Sequence, residues 1–420
     1  MTPAGADKHP TPMRRHLHEP LAAVAHAGRW AALAAMIGVL AGLASAVFLL
    51  ALEWATVTRE SHLWLVALLP IAGFAIGLIY AHFGTAVEAG NNLVLDEIHD
   101  PTKRLPLRMA PMILVSTVAT HLFGGSAGRE GTAVQMGASL ADQVVRFTGL
   151  DRHGRRIALM AGISGGFGAV FGTPLAGMVF GLEVLVIGAI RFEALFPCLV
   201  AAVVGDRVVT LFGVHHTVYT VATVPALGLI TAGSAIAVGL ASGVMARVFT
   251  GLTHQVTTRA KAVLPWGPAR LAAGGALVAL AALALGTSRH LGLGIPMILD
   301  GFQAPAPWSD CALKLVLTAV TLGFGFKGGE VTPLFVIGAT LGSALAVMLP
   351  VPVDVLAGLG FVAVFAGAAN TPLACILMAC ELFGSGLGVL AALACVSSYL
   401  VSGHTGIYRA QRLETPKPGT

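Results

Sequence analysis

Charge is the first thing this sequence lacks. Only 11% of its 420 residues are Asp, Glu, Lys or Arg, where a soluble globular chain carries about a quarter. So few charges cannot clothe a water-facing surface, which excludes a soluble enzyme or a nucleic-acid-binding module as the body of the chain. Metal and redox frameworks are missing too. The five cysteines (198, 311, 375, 380 and 395) lie in or beside apolar segments without CxxC spacing, and the 14 histidines show neither HExxH nor paired zinc spacing. They are read as packing thiols, with no metal site and no cofactor expected. No soluble domain is visible either: hydrophobic patterning begins near residue 28 and runs to about Tyr408. Any regulatory module is therefore expected on another protein.

What the chain has instead is hydrophobicity, at 56% of residues and a mean hydropathy of +0.83. A bilayer-spanning helix needs about 20 mainly apolar residues. Apolar stretches recur at 30–52, 63–83, 155–190, 194–213, 222–250, 268–287, 311–324, 332–350, 353–383 and 387–402, several long enough for two segments. An all-α polytopic membrane protein is the expected class. The 52 glycines suit close helix packing and helices broken inside the membrane. The first run follows "MRRHLHEPLAAVAHAGRW"; it is too long for a signal-peptide core and lacks a clear small-residue cleavage site, so it reads as a retained helix. Positive charge gathers in the N-terminal arm (Lys8, Arg14, Arg15), in "HDPTKRLPLR", in "DRHGRR" and in the tail (Arg409, Arg412, Lys417). By the positive-inside rule these segments, and both termini, face the cytoplasm of a cell membrane. The expected organisation is a cytoplasmic arm at 1–27, a membrane domain at 28–408 and a cytoplasmic tail at 409–420.

The membrane domain repeats itself. "TPLAGMVFGLEVL" (173–185) and "TPLACILMACELF" (371–383) share Thr, Pro, Leu, Ala and Glu at equivalent positions. The segments before them, "GREGTAVQMGASLA" (128–141) and "GGEVTPLFVIGATLG" (328–342), both run from a Gly/Glu turn into a Gly-Ala-[ST]-Leu helix. Two halves, about 28–213 and 222–408, follow. Internal repeats that bring broken helices to the membrane midplane are a transporter architecture, although spacing leaves open whether the halves are parallel or inverted.

Each Gly/Glu turn opens a helix, with Pro333 in a first turn where its missing N–H costs little. Free backbone N–H groups, as at Gly128 and Gly131, and the positive end of the helix dipole make such starts anion sites. A carboxylate there can occupy the site itself and leave it on taking up a proton, so Glu130 and Glu330 are candidates for gate and proton carrier. The plain alternative is that each only caps its helix. Arg129 reads as a structural partner at a helix end. A third turn carries Gly90-Asn91-Asn92, whose amides donate hydrogen bonds without charge; an ordinary asparagine turn is the competing reading.

"GREGT", "FGTPLAGMVFGLEVL", "GGEVTPLF", "NTPLACILMACELF" and "GIYRAQ" stand in the order seen in the CLC anion channels and transporters, and the chain resembles that family over about 28–412. The resemblance implies the CLC fold: inverted repeats with broken helices meeting at a mid-membrane anion site, in a homodimer with one pathway per subunit. The departures narrow it. "GNNLV" stands where the family has Gly-Ser-Gly-Ile-Pro, "GEVTP" replaces Gly-x-Phe-x-Pro, and Val184 follows Glu183 where chloride/proton antiporters carry a second glutamate. Together these resemble the fluoride/proton antiporter branch. Carried over, Glu130 matches the gating glutamate, Glu330 the extra glutamate of that branch, Thr332 a threonine near it, Tyr408 the inner-gate tyrosine, and Asn91 the ion-coordinating serine. Glu183 and Glu381 match positions read as structural. The expected activity is export of cytoplasmic fluoride against inward protons. A chloride-selective antiporter or passive anion channel is the near alternative; a membrane-embedded enzyme or a receptor-like protein is the remote one.

Overall fold

The computed structural model describes residues 12–418, with side chains from residue 24 onward. Sixteen helices form among them, eight in each half. The first half holds α1 (Pro12–Ser61), α2 (Leu69–Phe83), α3 (Asn91–His99), α4 (Met109–Leu122), α5 (Glu130–Thr148), α6 (Arg152–Phe171), α7 (Pro174–Glu183) and α8 (Leu195–Leu211). The second holds α9 (Leu229–Val263), α10 (Gly267–Leu285), α11 (Ile295–Gln303), α12 (Trp308–Gly323), α13 (Val331–Leu345), α14 (Val353–Ala369), α15 (Pro372–Phe383) and α16 (Gly388–Val401). The halves pack alike: α5 lies on α6 as α13 lies on α14, and α8 bridges α1 and α6 as α16 bridges α9 and α14.

The halves are inverted, and a pair of reciprocal caps shows it. Glu183, at the end of α7, accepts hydrogen bonds from the backbone N–H groups of Leu373 (3.0 Å) and Ala374 (2.9 Å), at the start of α15. Glu381, in the last turn of α15, accepts from Leu175 (2.9 Å) and Ala176 (2.8 Å), at the start of α7. Each helix end satisfies the orphan donors of its counterpart, so the two helices run antiparallel. Both glutamates are thus the structural caps expected of them.

Not every apolar stretch crosses a membrane alone. Val24–Ser61, Leu63–Phe83, Phe192–Leu211, Leu229–Val263 and Gly267–Leu285 are long and apolar enough. The stretch 155–190 instead breaks between α6 and α7 at Gly172–Thr173, and 353–383 breaks between α14 and α15 at Asn370–Thr371. In both cases a proline at the next position cannot continue the helix. The stretch expected from 222 becomes helical only at Leu229. Helices α3, α4, α5 and α11 fell outside the apolar stretches: α3, α4 and α11 are only 9, 14 and 9 residues long, and α5 carries Glu130, Gln135, Asp142, Gln143 and Arg146.

Glycines set the closeness of the inner helices. A Cβ at Gly162 would stand 2.6 Å from the carbonyl oxygen of Gly137, joining α6 to α5, and Gly338 and Gly360 make the equivalent crossing of α13 and α14. Polar groups turn inward while Leu, Val and Phe side chains such as Val47, Leu240 and Leu280 face outward, as a lipid solvent requires.

The expected arm at 1–27 is partly helical, because α1 begins at Pro12; residues 1–11 lie outside the described residues. The expected tail folds back. Strand β1 (Val186–Ile187) pairs in parallel with β2 (Arg412–Leu413), and Lys417 Nζ donates to Asn370 Oδ1 (2.7 Å) and to the carbonyl of Tyr399 (2.6 Å).

One buried ion cluster fixes α3 against the core. Arg155 of α6 donates to Asp142 of α5 (2.6 Å), to Glu97 of α3 (3.0 Å) and to the carbonyl of Lys103 (2.7 Å). The same carboxylates accept from the backbone N–H groups of Lys103 and Leu105. Removing one partner of such a cluster strands buried charge, costing about 3–5 kcal/mol. Arg155→Met is expected to lose stability on that scale, read as a fall in the thermal denaturation midpoint in detergent; an unchanged midpoint would show the cluster to be dispensable.

Candidate functional site

The N-termini of α5 and α13 point at each other. Their entry turns join in a short antiparallel bridge, in which the Gly128 N–H donates to the Gly329 carbonyl (2.6 Å) and the Gly329 N–H to the Gly128 carbonyl (2.8 Å). Only glycine permits this crossing: a Cβ at Gly128 would lie 2.7 Å from Glu130 Oε2 and 2.9 Å from the Gly329 carbonyl oxygen. Two positive helix ends with unsatisfied N–H groups are thereby brought together out of water.

Glu130 fills the place an anion would take. Its Oε2 accepts from the backbone N–H groups of Thr332 (3.1 Å) and Arg129 (3.1 Å), and its Oε1 accepts from the Thr332 hydroxyl. The side chain of α5 therefore sits on the first turn of α13, fully buried. This is more than a cap of its own helix, since the partner donors come from the other half. Arg129 stands at the start of α5 with Nε 3.9 Å from Glu130 Oε1, the helix-end position beside a carboxylate that its sequence context suggested.

The other expected residues gather on one side of Glu130. Asn91, Glu330 and Tyr408 line a chamber of about 130 Å³, together with Gln135 and Lys327. Gly90 enters α3 at φ 59° and makes Asn91 the first helical residue. The Asn91 side chain reaches Gly131, where a Cβ would meet its Nδ2 at 2.9 Å. Both Asn91 Oδ1 and Glu330 Oε2 are buried without a hydrogen-bond partner, so two strong polar groups beside this chamber await a ligand or water. Asn92 also lines it, but its Oδ1 accepts from the Ala410 N–H (3.0 Å) and so holds the turn that carries Tyr408. Tyr408 itself is buried against Phe180, ring centroids 6.3 Å apart.

The chamber adjoins a vestibule of about 690 Å³ whose wall includes Lys261, Arg270, Lys327 and Arg409 beside Glu88 and Glu330. Lys327 lies over the Tyr80 ring, 4.1 Å from its centroid, rather than against Glu330. Clustered basic groups raise the local anion concentration. On the opposite side of Glu130 lies a cavity of about 10 Å³, bounded by Arg129, His216, Tyr219, Thr332, Phe335 and Phe361. Glu130 lines neither space and stands between them.

Gln135 and His216 were not singled out from the sequence. For Gln135 the signal was present: it follows Gly131 by four positions and so shares its helix face. His216 lies in an irregular segment between α8 and α9, where no periodicity reports direction.

The family model for voltage gated chloride channels matches residues 72–403. The chain belongs to this CLC family. A "chloride/fluoride channel protein" of Pseudomonas syringae pv. tomato is 56% identical over 402 residues, covering 94% of this chain and 89% of that protein. Among solved structures, a CLC-type fluoride/proton antiporter superposes with a TM-score of 0.90 at 34% identity, over 92% of this chain and 98% of that one. A slow cyanobacterial chloride/proton antiporter superposes at 0.78 with 21% identity, over 90% and 96%, a likeness of fold alone.

Within a CLC frame the departures acquire a physical content. Val184 is buried among apolar neighbours and Glu183 is committed to capping α15, so no ionisable side chain is free at that position. Val331, fully buried, leaves Glu330 beside it as the acidic group of the turn. The chamber amides are the uncharged donors available to an anion. Gln135→Leu keeps the volume and removes a donor worth about 1 kcal/mol; anion affinity measured by calorimetry is expected to fall about fivefold, and unchanged affinity would remove Gln135 from the site.

Proposed function

We propose that this chain is a fluoride/proton antiporter, moving cytoplasmic fluoride outward in exchange for inward protons. The observation that carries the reading is the Glu130 carboxylate seated on the N-terminus of α13, with a second carboxylate, Glu330, whose Oε2 lacks a hydrogen-bond partner, beside the adjoining chamber. The relatives named for fluoride support the choice of ion.

The chemistry follows from that arrangement. Hydrogen fluoride enters a cell as a neutral weak acid and dissociates in the near-neutral interior, leaving an anion that needs an exporter. Fluoride drawn to the basic vestibule enters the chamber and exchanges water for the amides of Asn91 and Gln135 and the hydroxyl of Tyr408. While Glu130 is ionised it holds the helix N-termini and blocks the way. Taking a proton, it no longer competes for those N–H groups, and the anion can replace it. Glu330, half-buried next to the anion's path, couples the second charge: two negative groups so close are stabilised when a proton or hydrogen bond is shared between them. Carrier and gate being one residue, proton and anion cannot move independently.

The remaining assignments belong to the same reading. The basic segments of the arm, of 99–108, of 151–156 and of the tail support a cell-membrane location with both termini cytoplasmic, and the vestibule with its arginines and lysines is assigned to that face. The protein acts as a transporter and not as an enzyme, and works as a homodimer with one pathway in each subunit. A chloride-conducting reading stays in view because one relative's name includes both halides.

Liposomes loaded with fluoride decide between the two. External fluoride and proton uptake are expected to rise together, with little flux when chloride replaces fluoride; equal chloride flux, or fluoride leaving without protons, would return the chain to a chloride-conducting or channel reading. Glu130→Gln is expected to abolish coupled exchange, and undiminished proton-driven transport in that variant would refute the gating role. Glu330→Gln is expected to slow turnover at least about tenfold while the protein elutes as a single folded species. Wild-type turnover would mean that Glu330 carries no charge in the cycle.

A further inference from the structure

Under antiport, protons must reach Glu130 from the side away from the vestibule. Glu130 is fully buried, and on that side lies the cavity of about 10 Å³, room for about one water. Its wall contains one imidazole, His216, a ring that in its neutral form offers an N–H and a lone pair at once.

The placement of His216 is specific. It belongs to the irregular segment between α8 and α9, and its ring rests on Gly172, the residue that ends α6. Gly172 has φ 71°, and any Cβ there would collide with the imidazole, so this seat exists only because the residue is glycine. The Nε2 atom is buried without a hydrogen-bond partner. Asp206 Oδ1, on α8, lies 3.9 Å from it, with the Arg207 guanidinium 3.9 Å from the same carboxylate. His215 is exposed beside it. On the inner side stands Arg129, whose Nε also lacks a hydrogen-bond partner and lies 3.9 Å from Glu130 Oε1.

We propose that His216 is the outer proton relay, taking protons from bulk water past Asp206 and passing them through a single water to Glu130. The inference deepens the antiport reading and rests on it. In the step, an external proton adds to one ring nitrogen and the proton on the other leaves to the cavity water. That water gives one of its own protons to the Glu130 carboxylate when the side chain moves toward the cavity past Arg129 and Thr332, which contact Glu130 and line the cavity. Net, one proton moves inward and the histidine returns to neutral in its other tautomer, which a flip of the ring about its Cβ–Cγ bond resets without returning a proton outward. Burial first, then Arg129 and His215, lower the imidazole to about 4, so the resting ring is neutral and offers one N–H and one lone pair, as a relay needs. The positive Arg129 behind it keeps the proton from lodging there.

The test uses the full chain in fluoride-loaded liposomes, with external pH stepped from about 5 to 8. His216→Ala is expected to slow coupled efflux at least about tenfold, at the low end for positioned proton transfer because water offers a slower parallel route. The ratio of fluoride to protons stays as in the wild type, and imidazole added outside restores the rate in a dose-dependent way. His216→Phe fills the seat and is expected to be slowed without rescue. Wild-type rates in His216→Ala at every pH would overturn the relay. So would a slow His216→Ala protein that imidazole does not restore, since the ring would then be only a wedge. A wild type that moves fluoride without protons would overturn the antiport reading and the relay with it, whereas a coupled wild type with an unaffected variant overturns the relay alone.

Discussion

Everything in this molecule depends on two helix N-termini held face to face in a place without water. The Gly128–Gly329 bridge sets their separation, and the unsatisfied N–H groups they present have only two kinds of partner, an anion or a carboxylate. Glu130 is that carboxylate, so the resting structure already contains the interaction that transport must break and remake. A soluble protein would satisfy these N–H groups with water. Here the surrounding Phe335, Phe361 and Val331 are buried and leave competition between Glu130 and the anion as the only exchange available.

The inverted repeat is what makes the opposition possible at modest cost. A two-fold relation between the halves brings α5 and α13 together at equivalent ends and sets α7 against α15 in reverse, where Glu183 and Glu381 satisfy one another's helix starts. The same pair of devices thus appears twice with different purposes. At α7 and α15 the carboxylate is permanent and the helices stay locked. At α5 and α13 the carboxylate stands between two cavities without lining either, and can be replaced. What distinguishes the gate from the cap is the polar space beside it, since both are glutamates on the donors of a helix start.

Much of this was legible in the sequence because the repeat placed Gly-x-Glu turns and Thr-Pro-Leu-Ala helices twice in the same order. The Gly/Glu turns show where α5 and α13 begin, and the equivalent positions of Glu183 and Glu381 mark both as structural, although they do not show that each caps the other's helix. Inversion was not legible from spacing, since a motif repeated after about 200 residues has the same appearance whichever way its helices run; only the resemblance implied it. Nor was the tail. Arg412 and Leu413 read as exposed and charged-adjacent, yet they pair with Val186 and Ile187 through backbone hydrogen bonds, which side-chain patterns do not report. Gln135 and His216 show the two ways a site residue hides: one inside a regular helix whose polar face was not followed, the other in a segment with no period at all.

The two sides of Glu130 differ in a way that bears on direction. Toward the vestibule lie a chamber of about 130 Å³ and an opening of about 690 Å³, enough for a hydrated anion to approach and lose its water in steps. Away from it, stacked Phe335 and Phe361, ring centroids 4.0 Å apart, leave a cavity of about 10 Å³. A proton can pass such a constriction through one water, while a hydrated anion cannot. The conformation is therefore open to anions on one face and to protons on the other, with the same carboxylate between. Completing a cycle requires the Phe335–Phe361 side to widen when Glu130 is protonated, and the event that permits it is local: neutral Glu130 releases the Thr332 N–H and hydroxyl, which hold the start of α13 to α5 together with the Gly128–Gly329 bridge.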